Sequence, residues 1–145
     1  MKLVAIATLA TLVAPTLAYT VSYDTTYDQG STSLDVVAFS NGANGLEIDG
    51  YTTFSSIPNF PYIGGAPQIT GWNSASCGTC WTLTYTNTKG ISTSINITAV
   101  DVGDAALEGF NISLEAMNAL TNTQAEQLGR VSVTATQASV SSCGL

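Results

Sequence analysis

Residues 71–81 read Gly-Trp-Asn-Ser-Ala-Ser-Cys-Gly-Thr-Cys-Trp (GWNSASCGTCW). The stretch holds two of the chain's three cysteines, Cys77 and Cys80, with the two tryptophans, Trp72 and Trp81, beside them. The third cysteine, Cys143, lies two residues from the C-terminus. What an odd number of cysteines means depends on the compartment, so the N-terminus is read first. The chain opens MKLVAIATLATLVAPTLA, with one positive charge at Lys2, an apolar run, then Pro15-Thr16-Leu17-Ala18. That is the layout of a secretory signal peptide. The run is too short, and broken by Pro15, to span a membrane. Residues 1–18 are therefore expected to be removed, leaving a secreted domain over 19–145, in the extracellular space or the cell wall.

One domain and one core fit in the 127 residues that remain of the 145. Without Lys2, only Lys89 and Arg130 face ten acidic residues, a net charge of −8. Nucleic acid is not an expected partner, because phosphate binding needs clustered Lys and Arg. An anionic membrane surface is disfavoured for the same reason. A neutral partner fits better. The chain has no histidine, which excludes a Ser-His-Asp triad and a Cys-His dyad. Three cysteines without histidine do not make the usual zinc sets, so no metal and no cofactor are expected. Any catalysis would have to use carboxylates.

The chain reads mainly as β with two short helices. Val21–Tyr27 and Leu34–Phe39 read as short strands. Trp81–Tyr85 alternates apolar residues with Thr, Asn87–Gly90 turns the chain, and Ile91–Val100 returns with Ile95, Ile97 and Ala99 on one face. Val131–Thr136 alternates again. Ser113 is an expected helix cap, with Leu114, Met117 and Leu120 at helical spacing behind it. Thr123-Gln124-Ala125-Glu126 reads as a capping box and Gly129 as a stop. Residues 55–71, rich in Pro and Gly, read as loop without regular structure. Trp81 is expected in the core. Trp72, in a loop, is expected to be a buried anchor, with a sugar-stacking platform as the alternative.

Together these stretches resemble the cerato-platanin family of small secreted fungal proteins. The matching residues are Val21-Ser22-Tyr23-Asp24, Asn41-Gly42-Ala43-Asn44-Gly45-Leu46, Gly50-Tyr51-Thr52-Thr53-Phe54 and Pro61-Tyr62-Ile63-Gly64-Gly65. They continue through Gly71-Trp72-Asn73, Cys77-Gly78-Thr79-Cys80-Trp81, Val100-Asp101, Gly109-Phe110-Asn111, Leu128-Gly129-Arg130-Val131 and Cys143-Gly144-Leu145. The resemblance implies a six-stranded double-psi β-barrel, related to expansins, barwin-like proteins and a family of endoglucanases. It also implies binding of chitin-type (GlcNAc) oligomers or cellulose, expansin-like wall loosening without hydrolysis, and an elicitor or virulence role toward plants, with a plant receptor as a further partner. A weak endoglucanase using Asp101 and a surface-active, self-assembling wall protein are the alternatives.

The family carries four cysteines in two disulfides. By resemblance Cys80 pairs with Cys143. Cys77 loses its partner, because Phe39 stands at the first cysteine position. The expectation is a monomer with one free thiol, Cys77, covered by Phe39 and less stable than four-cysteine relatives. A Cys77–Cys80 bridge is the rival reading, counted against by the secretory context. Asp101 matches the family's groove aspartate and Asn111 another groove position; Tyr23, Asp24 and Asn44 are further carbohydrate-binding candidates. Asp101 equally suits a structural tie, its carboxylate accepting backbone N–H groups. Hydrolysis would need a second carboxylate about 6.5–9.5 Å away for inversion. Asp28, Asp104 and Glu108 are candidates, but no motif sets any of them opposite Asp101. Sequons occur at Asn96 and Asn111; a glycan on Asn111 would block the groove, so Asn111 is expected to be unmodified.

Overall fold

The computed structural model describes residues 17–145. Six strands form a closed barrel: β1 (Leu17–Tyr23), β2 (Ile63–Ala66), β3 (Cys80–Thr86), β4 (Ser92–Val102), β5 (Gly109–Ile112) and β6 (Arg130–Ala138). Their order around the barrel is β1-β5-β2-β4-β3-β6. β1/β5 and β2/β4 are parallel; the other four pairings are antiparallel. Two helices, α1 (Leu114–Thr121) and α2 (Ala125–Leu128), sit between β5 and β6. This is the mainly β, six-stranded barrel with two short helices that the sequence led us to expect. The signal peptide expected over 1–18 lies outside the described residues except for Leu17 and Ala18, which extend β1 opposite Ala135 and Thr134.

The β3/β4 hairpin shows how the sequence makes sheet here. Trp81 and Leu83 turn inward, and Thr82, Thr84 and Thr86, alternating with the inward side, turn outward. Each outward threonine faces a polar partner on β4: Thr82 donates to Asn96 Oδ1 at 2.8 Å, and the Thr84–Ser94 and Thr86–Ser92 hydroxyl pairs are each 2.7 Å apart. Such cross-strand pairs contribute roughly 0.2–1 kcal/mol each and hold the register. At the turn, Asn87 Oδ1 accepts the Lys89 and Ile91 N–H groups. β6 alternates equally clearly, with Val131, Val133 and Ala135 buried and Ser132, Thr134 and Thr136 exposed. Phe39, Phe54, Phe110, Ile63, Ile97, Ile112, Met117 and Leu120 fill the core.

α1 starts where predicted, with Ser113 Oγ accepting the Ala116 N–H at 3.0 Å. Its other free N–H groups, on Leu114 and Glu115, donate to Asp28 at 2.8 and 3.0 Å. A carboxylate there also meets the positive end of the helix dipole. Its buried face is Ala116, Met117, Leu120 and Thr121.

Several expectations need correction. The strand expected over Val21–Tyr27 ends at Tyr23, because Asp24 Oδ1 takes the Thr26 N–H and starts a 3-10 turn, Thr25–Asp28. Leu34–Phe39 is not a strand. Ser33 Oγ takes the Asp35 N–H, which folds Leu34–Val36 into a 3-10 turn. The capping box does not form: the cap of α2 is Gln124, and Asn118 Oδ1 accepts the Ala125 N–H instead. Residues 55–71 are not structureless, since they contain β2. That strand depends on glycine. A Cβ on Gly64 would lie 2.4 Å from the Asn111 carbonyl oxygen, and one on Gly65 2.2 Å from that of Val102. Only glycine lets these backbones approach so closely. β5 was not foreseen either.

The disulfide joins Cys80 to Cys143, and Cys77 is free, which excludes the Cys77–Cys80 bridge. Phe39 is fully buried, as expected. Cys77 is only partly buried. It packs against the core cluster but lines a surface cavity of about 460 Å³ with Asn44, Leu46, Tyr51, Val140 and Leu145. Desolvation pushes its thiol pKa up to about 12.

Candidate functional site

Asp101 owes its position to a bulge. Ile95, Ile97 and Ala99 alternate toward the core, and unbroken alternation would turn Asp101 inward too. The register against β2 instead shifts by one residue, from Gly64↔Ala99 to Gly65↔Asp101. The extra residue, Val100, is buried, and Asp101 emerges at the partly exposed surface. Bulges re-aim side chains in this way.

Once there, the carboxylate accepts three hydrogen bonds from the fold. Oδ1 accepts the N–H groups of Val102 at 2.8 Å and Ala38 at 3.1 Å; Oδ2 accepts the Tyr27 hydroxyl at 3.1 Å. Asp101 thus ties two loops to the end of β4. The Tyr27 phenol, held by burial and then by the Asp101 charge, gives up its proton only well above the ordinary tyrosine range.

The pairing sets Asp101 in a row. It is level with Gly65 on β2, Gly65 with Asn111 on β5, and Asn111 with Ser22 on β1. Asn111 Oδ1 accepts the Ser22 hydroxyl at 3.2 Å. Val21, Phe110, Ile112 and Val100 beside them are buried, while Val102 beyond Asp101 is exposed. Ser22, Asn111 and Asp101 thus lie level and partly exposed across four adjacent strands, with a glycine between the last two. Tyr23 follows on β1, partly buried against the core.

The other candidates fall elsewhere. Asp24 is exposed and caps its 3-10 turn. Asn44 holds two loops together: its N–H donates to Asn73 Oδ1 and its side-chain amide to the Asn73 carbonyl, both at 3.0 Å. Of the carboxylates considered as partners for Asp101, Asp28 and Asp104 are engaged in the fold. Asp28 caps α1. Asp104 pairs with Arg130 at 2.8 Å, and Arg130 also donates to Thr20. Glu108 is exposed, in a left-handed turn after residues 105–107. Among the described residues no group of acidic and cysteine side chains could hold a metal, and no helix is long and apolar enough to cross a membrane.

Trp81 is in the core, its ring meeting Phe110 edge-on at 5.7 Å. Trp72 is not the buried anchor expected: it is 64% exposed. Its indole N–H donates to Asn41 Oδ1 at 3.2 Å, so hydrogen bonding rather than burial holds the ring. Nothing in the local sequence separates these two tryptophans except the alternating strand that follows Trp81.

Comparison with known proteins agrees with this barrel. A sequence model of the cerato-platanin family matches residues 19–145. Allergen Asp f 15 of Aspergillus fumigatus is 48% identical over 123 residues, covering 85% of this chain and 75% of that protein. The crystal structure of cerato-platanin 2 from M. perniciosa superposes with a TM-score of 0.81 at 43% identity, covering 88% of this chain and 99% of that one. The solution structure of the fungal elicitor Cerato-Platanin gives 0.71 at 40% identity, over 86% and 95%. With the family's sequence pattern spanning 19–145 and its barrel closed by the same chain, this protein belongs to the cerato-platanin family.

Proposed function

We propose that this protein is a secreted, non-hydrolytic carbohydrate-binding protein. It takes chitin-type oligomers or cellulose along the Ser22–Asn111–Gly65–Asp101 row, loosens wall polysaccharide by competing for its hydrogen bonds, and acts as an elicitor or virulence factor toward plants. The elicitor role comes from the relative described above by that word. The observation that carries the reading is the row itself: uncharged polar groups and one fixed carboxylate across four strands of a rigid barrel. A rigid surface of donors and acceptors suits hydroxyl and acetamido groups at little entropic cost.

Hydrolysis is disfavoured on the same geometry. An acid or base must exchange protons, yet Asp101 is held by three donors, and Asp28 and Asp104 are engaged in the fold. The test is a titration with chito- and cello-oligosaccharides followed by backbone amide shifts. Amides of Ser22, Asn111 and Val102 should move saturably, and soluble glucan should release no reducing sugar. No shift with any oligomer would end the binding reading. Sugar release lost in Asp101→Ala would replace it with the weak endoglucanase.

A further inference from the structure

We propose that Trp72 is a second carbohydrate subsite, a stacking platform that extends the Asp101 row and engages only long oligomers. The inference rests on the carbohydrate-binding reading above. Trp72 is the one aromatic among the large apolar side chains that stand well exposed in the described residues. A free surface tryptophan would have a mobile ring, but this ring is pinned through its N–H to Asn41. The residue that follows Trp72, Asn73, is left-handed (φ 58°). For a residue other than glycine such backbone is held by its surroundings, and it gathers at ligand clamps.

The enforcement is visible. Asn73 takes both hydrogen bonds with Asn44, and Gly42 lies so close that a Cβ there would be 2.7 Å from Asn73 Oδ1. The turn over 41–45 and the loop over 71–74 therefore lock one exposed indole face in place. Around it stand the amides of Asn41, Asn44 and Asn73, and the stretches 36–46 and 70–80 contain no charged residue. A fixed aromatic face in a neutral amide rim matches the apolar face and equatorial polar groups of a pyranose. It does not match a charged ligand.

Continuity with the Asp101 row comes from residues 38–41. The Ala38 N–H is on Asp101, and the Asn41 side chain is on Trp72. Three residue steps separate Ala38 from Asn41, a span of at most about 11 Å between their Cα atoms. One short segment thus bridges the two sites, over a distance a few sugar units can cover.

The test compares chitobiose with chitohexaose on the mature protein, reading amide shifts and tryptophan quenching by iodide. Trp72→Ala should weaken chitohexaose about tenfold or more, leave chitobiose unchanged, and keep the shifts at Asn111 and Val102. Trp72→Phe should retain most of the hexamer affinity. In the wild type, chitohexaose should shield the exposed indole from iodide and chitobiose should not. Unchanged hexamer affinity in Trp72→Ala, with the Asn111 shifts intact, would overturn this inference and leave the proposed function standing. A wild type that binds neither sugar, nor cellobiose and cellohexaose in the same assay, would overturn both. Loss of self-association in Trp72→Ala, with hexamer binding unaltered, would make the platform an interface between copies of the chain and overturn it too.

Discussion

Two ends of the GWNSASCGTCW stretch are anchored by opposite means. At Cys80 a covalent bond reaches the last turn of the chain, Val140–Cys143, across a sequence separation of 63. At Cys77 no bond is made. There the neighbouring loop is held by the Asn44–Asn73 pair and by the Trp72–Asn41 contact, above a core that includes the buried Phe39 ring. One strong link works mainly by limiting the unfolded chain; several weak ones work only in the folded state. The two should therefore fail differently.

The largest expected effect comes from the covalent end. Replacing Cys80 and Cys143 together by Ser should cost about 4 kcal/mol, the chain-entropy value for a loop of this length. A urea midpoint checks it, and the m-value should rise because the unfolded state opens further. Phe39→Ala is next, at about 3 kcal/mol for a fully buried aromatic, with m unchanged. If both variants moved m alike, the contrast between the two anchors would fail.

Asp101→Ala should cost about 2 kcal/mol, since it strips the acceptor from two N–H groups and a tyrosine hydroxyl. The Tyr27 phenol should then titrate lower, because burial remains but the negative neighbour is gone. Ultraviolet absorbance between neutral and alkaline pH reads this directly.

Phe39→Cys sharpens the comparison most with the smallest net change. The family pattern pairs this position with Cys77. A new bridge would constrain a loop worth roughly 3–4 kcal/mol, against about the same loss of aromatic packing. The melting temperature should therefore move little while the free thiol disappears from the mass map. In the wild type, the Cys77 thiol holds its proton in the folded state from its ordinary 9.0 up to about 12. The folded state binds more protons in that window, so stability is intact below about pH 9 and falls as pH rises through it. Cys77→Ser should flatten the fall, and native alkylation of Cys77 should stay slow at pH 8 and speed up steadily with alkali.

What could be read in the sequence followed from local chemistry. Thr82-Leu83-Thr84 and Val131-Ser132-Val133 declare strands by alternation, and Ser113 declares a helix start by its hydroxyl. β2 and β5 are four residues each, too short for a period to show. Gly64 and Gly65 have no side chain to alternate, so their role exists only between strands. Asp101 was legible as a groove or tie residue; the bulge that delivers it was not, because a register shift belongs to two strands at once. The helix cap by Asp28 comes from a residue 86 positions from its partner, beyond any local motif. Trp72 misled for a related reason: an indole held by one asparagine side chain looks, in sequence, like one held by a core.

The seam that closes the barrel joins its first strand to its last, with Tyr19 opposite Val133 and Ser22 opposite Arg130. That seam sets an order of events in time. A chain emerging from the ribosome can form the β3/β4 hairpin early, because its partners are neighbours. β1 can meet β5 once residue 112 is made, but its seam with β6 must wait for residue 135, and the bond to Cys143 can form only after nearly the whole chain exists. Pairings this distant are slow to find, in the range of milliseconds to seconds. Truncation after Gly129 should leave β1 and β3 each with an unsatisfied edge, the kind of species that aggregates rather than waits. Folding of this protein is thus an act of completion: the barrel is open until its final tenth is present, and only then can it close.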